Sequence, residues 1–205
     1  MKLPCTGVIL AGGRNTRLSG KNKAFLYIRG KRIVDHIYAI FKDLFEDIIL
    51  VTNDPLKYLE MDCHIVTDIF SIRSSLTGIH AGLFYASTQH SFFSACDTPF
   101  LKKELVETVI EGIEPGMDVV IPETSAGLEP LCAVYSKRCL KPIEQELIRK
   151  KLKIQNFFKK LRVKKIPEEI LVKIDPDLTS FFNINTPDDM LKAEAIEGGN
   201  WKLDT

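Results

Sequence analysis

The sequence predicts an α/β fold in which a mostly parallel sheet is flanked by helices on both faces. Three observations carry this. Short runs such as residues 48–52 (IILVT) are apolar throughout, whereas a strand with one wet face would alternate apolar and polar residues. These runs take turns with stretches of helical period, the order that builds βαβ units. Finally, glycine or a small polar residue follows one run after another, at 11–13, 53, 68 and 97. In a parallel sheet those positions form the edge where ligands bind.

The elements follow in order. Residues 6–10 (TGVIL) read as the first strand. Residues 33–45 place Ile33, Ile37, Ile40, Phe41 and Leu44 on one helical face. Residues 48–52 and 63–67 (CHIVT) give the second and third strands. A helix over 76–87, a strand over 92–96 and a helix over 102–112 come next. Residues 118–122 (DVVIP) and 131–135 (LCAVY) are strands. They are followed by helices near 136–150 and 154–161 and a strand near 163–166. Residues 181–184 are expected to form a terminal strand. Beyond it Thr186 is a good N-cap, with Pro187 at the first helical position and Asp188 and Asp189 in the first turn.

Composition sets limits on function. At 205 residues, 45% hydrophobic and 27% charged, the chain can bury a full core as one domain. A net charge of +1 gives no global attraction to nucleic acid or membrane. No apolar run approaches the roughly 18–20 residues that a bilayer span needs. The N-terminus runs straight into a strand, without a signal-peptide pattern. The five cysteines (Cys5, Cys63, Cys96, Cys132, Cys139) are scattered with no CxxC pair. They read as reduced thiols of a cytosolic protein, not as a zinc site.

Two segments carry chemistry. In Leu10-Ala11-Gly12-Gly13, followed by Arg14, Arg17 and Lys23, glycines after a strand let the backbone approach a phosphate or base, and the cations suit a triphosphate. The same residues also suit a plain tight turn with solvated charges. The segment is neither a Walker loop nor G-x-G-x-x-G. In residues 93–101 (FSACDTPFL) an apolar strand ends in Asp97, a carboxylate at the sheet's ligand edge. It can anchor a nucleotide-bound Mg²⁺, or it can cap the helix that follows.

Together, LAGG with Arg17 and Lys23, CDTPF at 96–100, EPLCAVY at 129–135 and FNINTPDD at 182–189 resemble the molybdenum cofactor guanylyltransferase family. The motifs occur in the family's order over nearly the whole chain. The resemblance implies a Rossmann-like nucleotidyltransferase domain over 1–205, with a nucleotide-binding half (1–110), an acceptor-binding half (111–197) and a tail (198–205). It implies transfer of GMP from GTP to the phosphate of molybdopterin, with Mg²⁺ as cofactor and pyrophosphate released.

By the same resemblance, Leu10, Ala11, Gly12 and Gly13 present backbone to the nucleoside, and Lys23 holds the phosphates with Arg17 helping. Asn53 and Asp68 contact the nucleoside, Asp97 binds GTP and the metal, and Asn183 and Asn185 serve acceptor or metal. Molybdoenzymes or cofactor-insertion proteins are the implied partners. The chain departs from the family's pattern at Asn22, where Asp is usual, at 18–20 (LSG), and at 74–78 (SSLTG) in place of a Gly-Pro-Leu-like stretch.

The alternatives are a CTP-dependent molybdopterin cytidylyltransferase, a sugar-phosphate nucleotidyltransferase, or a non-catalytic nucleotide-binding adaptor. The acid-free basic segment 149–165 (RKKLKIQNFFKKLRVKK) either attracts an anionic ligand, stacks RNA bases on Phe157 and Phe158, or packs Ile154, Phe157, Phe158 and Leu161 into the core with lysines outward. His36, His64, His80 and His90 have no metal-ligand spacing.

Overall fold

The computed structural model describes residues 2–12 and 23–197. An eight-stranded sheet holds β1 (Thr6–Leu10), β4 (Ile48–Val51), β5 (His64–Val66), β6 (His90–Ala95), β7 (Val119–Thr124), β8 (Gly127–Leu128), β9 (Cys132–Ser136) and β10 (Val163–Pro167). The order is β10-β7-β9-β6-β1-β4-β5, with β8 added to β7. β1 pairs in parallel with β4 and β6, β4 with β5, and β10 with β7. Only β8 and β9 run against the rest. A separate hairpin of β2 (Tyr27–Ile28) and β3 (Lys31–Arg32) precedes the first helix.

The apolar strands are explained by what lies on each face. Ile9, Leu50, Phe92 and Val120 point into one core beneath α1 (Ile33–Leu44), α3 (Lys103–Glu111) and α5 (Glu168–Ile174). Their neighbours Val8, Ile49, Phe93 and Val119 point into a second core beneath α2 (Ser75–Tyr85) and α4 (Leu140–Ile148). With both faces covered, successive residues of the central strands are buried on opposite sides, so no apolar–polar alternation is left to see. Gly82 lets α2 lie close on the sheet, because a Cβ there would stand 2.6 Å from Val8 Cγ1 and 2.7 Å from the Phe93 ring.

The basic segment takes the packing alternative. Residues Ile154–Lys160 form a 3₁₀ helix, not an α-helix. Phe157 is buried, Ile154, Phe158 and Leu161 pack beside it, and the rings of Phe157 and Phe158 lie 5.9 and 6.4 Å from Tyr135. They are therefore not presented to RNA bases.

The expected terminal strand at 181–184 is corrected. Residues Thr179–Phe181 form a 3₁₀ turn, and 182–185 pair with no strand. The apolar alternation of Phe182 and Ile184 comes instead from packing against Ile28, Ile33 and Ala193. The backbone N–H of Ile184 donates to the Asp97 carbonyl at 3.0 Å, which lays this segment across the end of β6. The final helix α6 (Pro187–Glu197) starts as expected, with Asp189 N–H donating to Thr186 Oγ1 at 3.2 Å.

Candidate active site

A cavity of about 480 Å³ opens at the carboxyl ends of the parallel strands. Leu10, Ala11 and Gly12 from the end of β1 form its floor, with Lys23, Asp68, Asp97, Asn183 and Asn185 around it. The end of β1 is fixed from both sides. Ala11 N–H donates to Val51 O at 2.8 Å, and Leu10 O accepts from Cys96 N–H at 3.0 Å. The residues that sequence reasoning picked out strand by strand therefore converge because four adjacent strands, β6-β1-β4-β5, end together. Gly13 and Arg17, also expected at the site, lie outside the described residues, as do Arg14 and Asn22.

One end of the cavity is ionic. Lys23 Nζ lies 3.7 Å from Asp97 Oδ2 and donates to Asn185 Oδ1 at 2.6 Å. Asn185 is itself held by its backbone: the N–H groups of Asn185 and Thr186 both donate to Asp189 Oδ2 at 2.8 Å. The acid that completes the helix cap thus also sets the side chain that positions Lys23. Asn183 reaches the same rim, its Nδ2 donating to Phe181 O at 3.0 Å.

Asp97 does not cap the following helix. α3 begins at Lys103, with Lys102 as its N-cap residue, so the carboxylate is left to the cavity. Burial raises its pKa, and the nearby Lys23 charge opposes that rise only in part. A carboxylate that remains costly to ionise beside a lysine has room for more positive charge.

The other end is polar. Asn53 Nδ2 donates to Asp68 Oδ2 at 2.8 Å. Gly12 faces this pair, and a Cβ there would lie 3.4 Å from Asn53 Nδ2. A side chain at residue 12 would fill the space where a ligand could touch backbone. Burial lifts the Asp68 pKa, against the Asn53 hydrogen bond and the charge of Arg73. Three strand spacings separate β6 from β5, about 14 Å at roughly 4.8 Å each, which matches a nucleoside at one end with its phosphates at the other.

Sequence reasoning gave no site role to Arg73, Ser74, Ser75, Gly78 and Leu131, which also line the cavity; it named 74–78 only as a departure from the family's pattern and Leu131 only within the 129–135 motif. The signal for the first three was the N-cap pattern of Ser74 three residues before Thr77. Ser74 Oγ accepts from Thr77 N–H at 3.1 Å, which brings the start of α2 to the rim.

The histidines are structural. His36 Nε2 meets Ile28 O at 2.7 Å, and His80 Nε2 meets Glu144 Oε1 at 3.1 Å, both away from the cavity. Among the described residues no three His, Cys, Asp or Glu side chains gather to hold a metal. Asp97 fits Mg²⁺ in another way, as one carboxylate beside a space for phosphate oxygens, the donor set this ion prefers over an all-protein cage.

A mostly parallel sheet whose ligand edge carries a lysine–carboxylate pair at one end and a polar pair at the other has the arrangement a nucleotidyltransferase needs. In agreement, the MobA-like NTP transferase domain model matches residues 7–165. The chain is 49% identical over 190 residues to the molybdenum cofactor guanylyltransferase of Desulfosudis oleivorans, covering 93% of this chain and 94% of that one. It is 36% identical to the probable molybdenum cofactor guanylyltransferase of Natranaerobius thermophilus, with 94% and 96% covered. Among solved structures, the molybdopterin-guanine dinucleotide biosynthesis protein A of Archaeoglobus fulgidus superposes with a TM-score of 0.83 at 30% identity, covering 95% of this chain and 99% of that chain. The chain belongs to the MobA-like nucleotidyltransferases, in the molybdenum cofactor guanylyltransferase family.

Proposed function

We propose that this enzyme transfers GMP from GTP to the terminal phosphate of molybdopterin, releasing pyrophosphate and forming the guanine dinucleotide cofactor. The observation that carries the reading is the two-ended cavity, with Lys23 and Asp97 at one end and Asp68, held by Asn53 from behind the lining, at the other. Family membership supports the nucleotide and the acceptor.

An acceptor phosphate oxygen attacks the α-phosphorus of GTP in line with the departing pyrophosphate. The acceptor is already ionised near neutral pH, so no side chain needs to take a proton from it. The obstacle is repulsion between two anions, and the work left to the protein is alignment and charge neutralisation. Lys23, held by Asn185, would stay on the phosphates as negative charge moves to the leaving group. Arg17 would add a second cation. The backbone of Leu10, Ala11, Gly12 and Gly13 would seat the nucleoside, with Asn53 and Asp68 at its far edge. Asp97 would hold Mg²⁺; when bound, this ion neutralises phosphate charge and polarises the P–O bond to be broken.

The second half of the chain brings Asn183 and Asn185 to the rim, where the acceptor phosphate would enter. Five free thiols suit a reducing cytoplasm, where molybdoenzymes or their insertion partners would receive the product. No helix among the described residues is long and apolar enough to cross a membrane. The test is an Asp97→Ala variant assayed for pyrophosphate release with GTP and molybdopterin. Loss of turnover with the wild-type circular dichroism spectrum is expected, and near-normal turnover overturns the assignment.

A further inference from the structure

Arg73 belongs to none of the motifs that carry the family resemblance, yet it lines the cavity beside Asp68. Its backbone is pinned on both sides. Thr77 Oγ1 donates to Ile72 O at 2.7 Å, and Ser74 Oγ accepts from Thr77 N–H at 3.1 Å. The side chain therefore starts from a fixed point at the head of α2, and the residue is exposed to solvent. Its charge acts on Asp68, and Asn53 fixes that carboxylate from the other side at 2.8 Å. One wall of the cavity thus carries both a carboxylate acceptor and an arginine.

That pair has a natural complement. Guanine presents two N–H donor groups, N1–H and N2–H₂, and beside them the acceptors O6 and N7. A carboxylate takes the donors, and an arginine fork fits O6 and N7. Adenine inverts the pattern at both neighbouring positions, with an acceptor at N1 and a donor amine at position 6. Adenine would therefore set its N1 lone pair against the Asp68 carboxylate and its amine against the Arg73 fork. A bound base would cover both groups, and polar groups covered without a partner discriminate far more strongly than a poor apolar fit.

We propose that Arg73 is a specificity-determining residue, which together with Asp68 selects guanine by donating to O6 and N7. This rests on the guanylyltransferase reading of the same cavity. It differs from a phosphate-binding role for Arg73, which would act on every nucleotide alike.

The experiment is calorimetric titration of the full-length protein and its Arg73→Gln and Arg73→Lys variants with GTP, ITP and ATP. ITP keeps N1–H, O6 and N7 but lacks the 2-amino group. Wild type should bind GTP and ITP in preference to ATP. Arg73→Gln should weaken GTP and ITP alike by about 10- to 100-fold, the discrimination typical of one bidentate base contact, and leave ATP unchanged. Arg73→Lys should recover only a fraction, because an ammonium has charge without the planar fork. Equal weakening of all three nucleotides, an unchanged GTP-to-ATP ratio, or full recovery by lysine each overturns the role of Arg73. A wild-type protein with no preference for GTP over ATP overturns the guanylyl reading itself, and this result is distinguishable because it appears before any substitution is made.

Discussion

Asp175 closes α5 and is fully buried. Its carboxylate accepts from Ser180 N–H at 2.7 Å and Thr179 Oγ1 at 3.0 Å, and lies 2.9 Å from Lys102 Nζ. Lys102 N–H in turn donates to Ser180 Oγ at 3.1 Å. This knot holds the turn from which 182–185 run to the cavity, so it links the stability of the C-terminal segment to the placement of Asn183 and Asn185. In Asp175→Ala, the buried Ser180 N–H would lose its acceptor, at a cost of about 1–3 kcal/mol. The Lys102 side chain is 38% exposed and can rehydrate, so its share must be discounted for solvent screening. A total near 3 kcal/mol should lower Tm by roughly 6–12 °C in a domain of this size, measured by scanning calorimetry.

The pH dependence has a definite sign. Burial alone would raise the Asp175 pKa, but Lys102 and the Ser180 backbone and hydroxyl bring it below the ordinary carboxylate value of 3.8. A depressed carboxylate stabilises the fold above its unfolded pKa and loses that contribution as pH falls through the folded pKa. The stability gap between wild type and Asp175→Asn should therefore be full at neutral pH and narrow only below about pH 4. A Tm change under about 2 °C for Asp175→Ala, or a gap that does not narrow in acid, refutes the reasoning.

Other outcomes follow from single observations. Asp97 carries a pKa raised chiefly by burial, so its ionised form destabilises the ligand-free fold near neutral pH. Asp97→Asn should raise Tm while abolishing turnover, and a fall in Tm on thermal melting contradicts this. Lys23→Ala should weaken GTP binding by at least about 10-fold, as expected when a charged phosphate contact is lost, and unchanged affinity by calorimetry argues against the phosphate site. Gly82→Ala gains roughly 1 kcal/mol of helix propensity but drives a methyl into Val8 and Phe93. Overpacking of about 1–3 kcal/mol wins, so urea unfolding should show a net loss. Asp189→Ala should cost about 1 kcal/mol as a lost cap and also raise the KM for GTP by freeing Asn185; a loss of stability with KM unchanged would separate the cap from the site.

The strands and the site edge were legible in the sequence because burial on both faces leaves unbroken apolar runs, and because each run stops at a residue suited to ligands. Asn53, Asp68 and Asp97 could be placed on one edge from that rule alone. Other parts were hidden for identifiable reasons. Phe182 and Ile184 imitate a strand because alternate residues meet the same small cluster. The β2–β3 hairpin has strands of two residues and turns through Arg29 and Gly30, with φ of 53° and 68°, a primed turn without the usual Asn-Gly signal. α5 has seven residues and buries only Leu171, too little to show a period. Arg73 was missed because nothing in its neighbours' chemistry marks it; its position depends on the cap that Ser74 forms with Thr77.

Guanylyl transfer to a phosphate acceptor can be followed directly. Its most direct test is incubation of the purified enzyme with GTP, Mg²⁺ and molybdopterin, following pyrophosphate and the dinucleotide product together. Formation of molybdopterin guanine dinucleotide with one pyrophosphate per product, and little product when CTP replaces GTP, is the expected result. GTP binding without pyrophosphate release, or equal product from CTP, would contradict it.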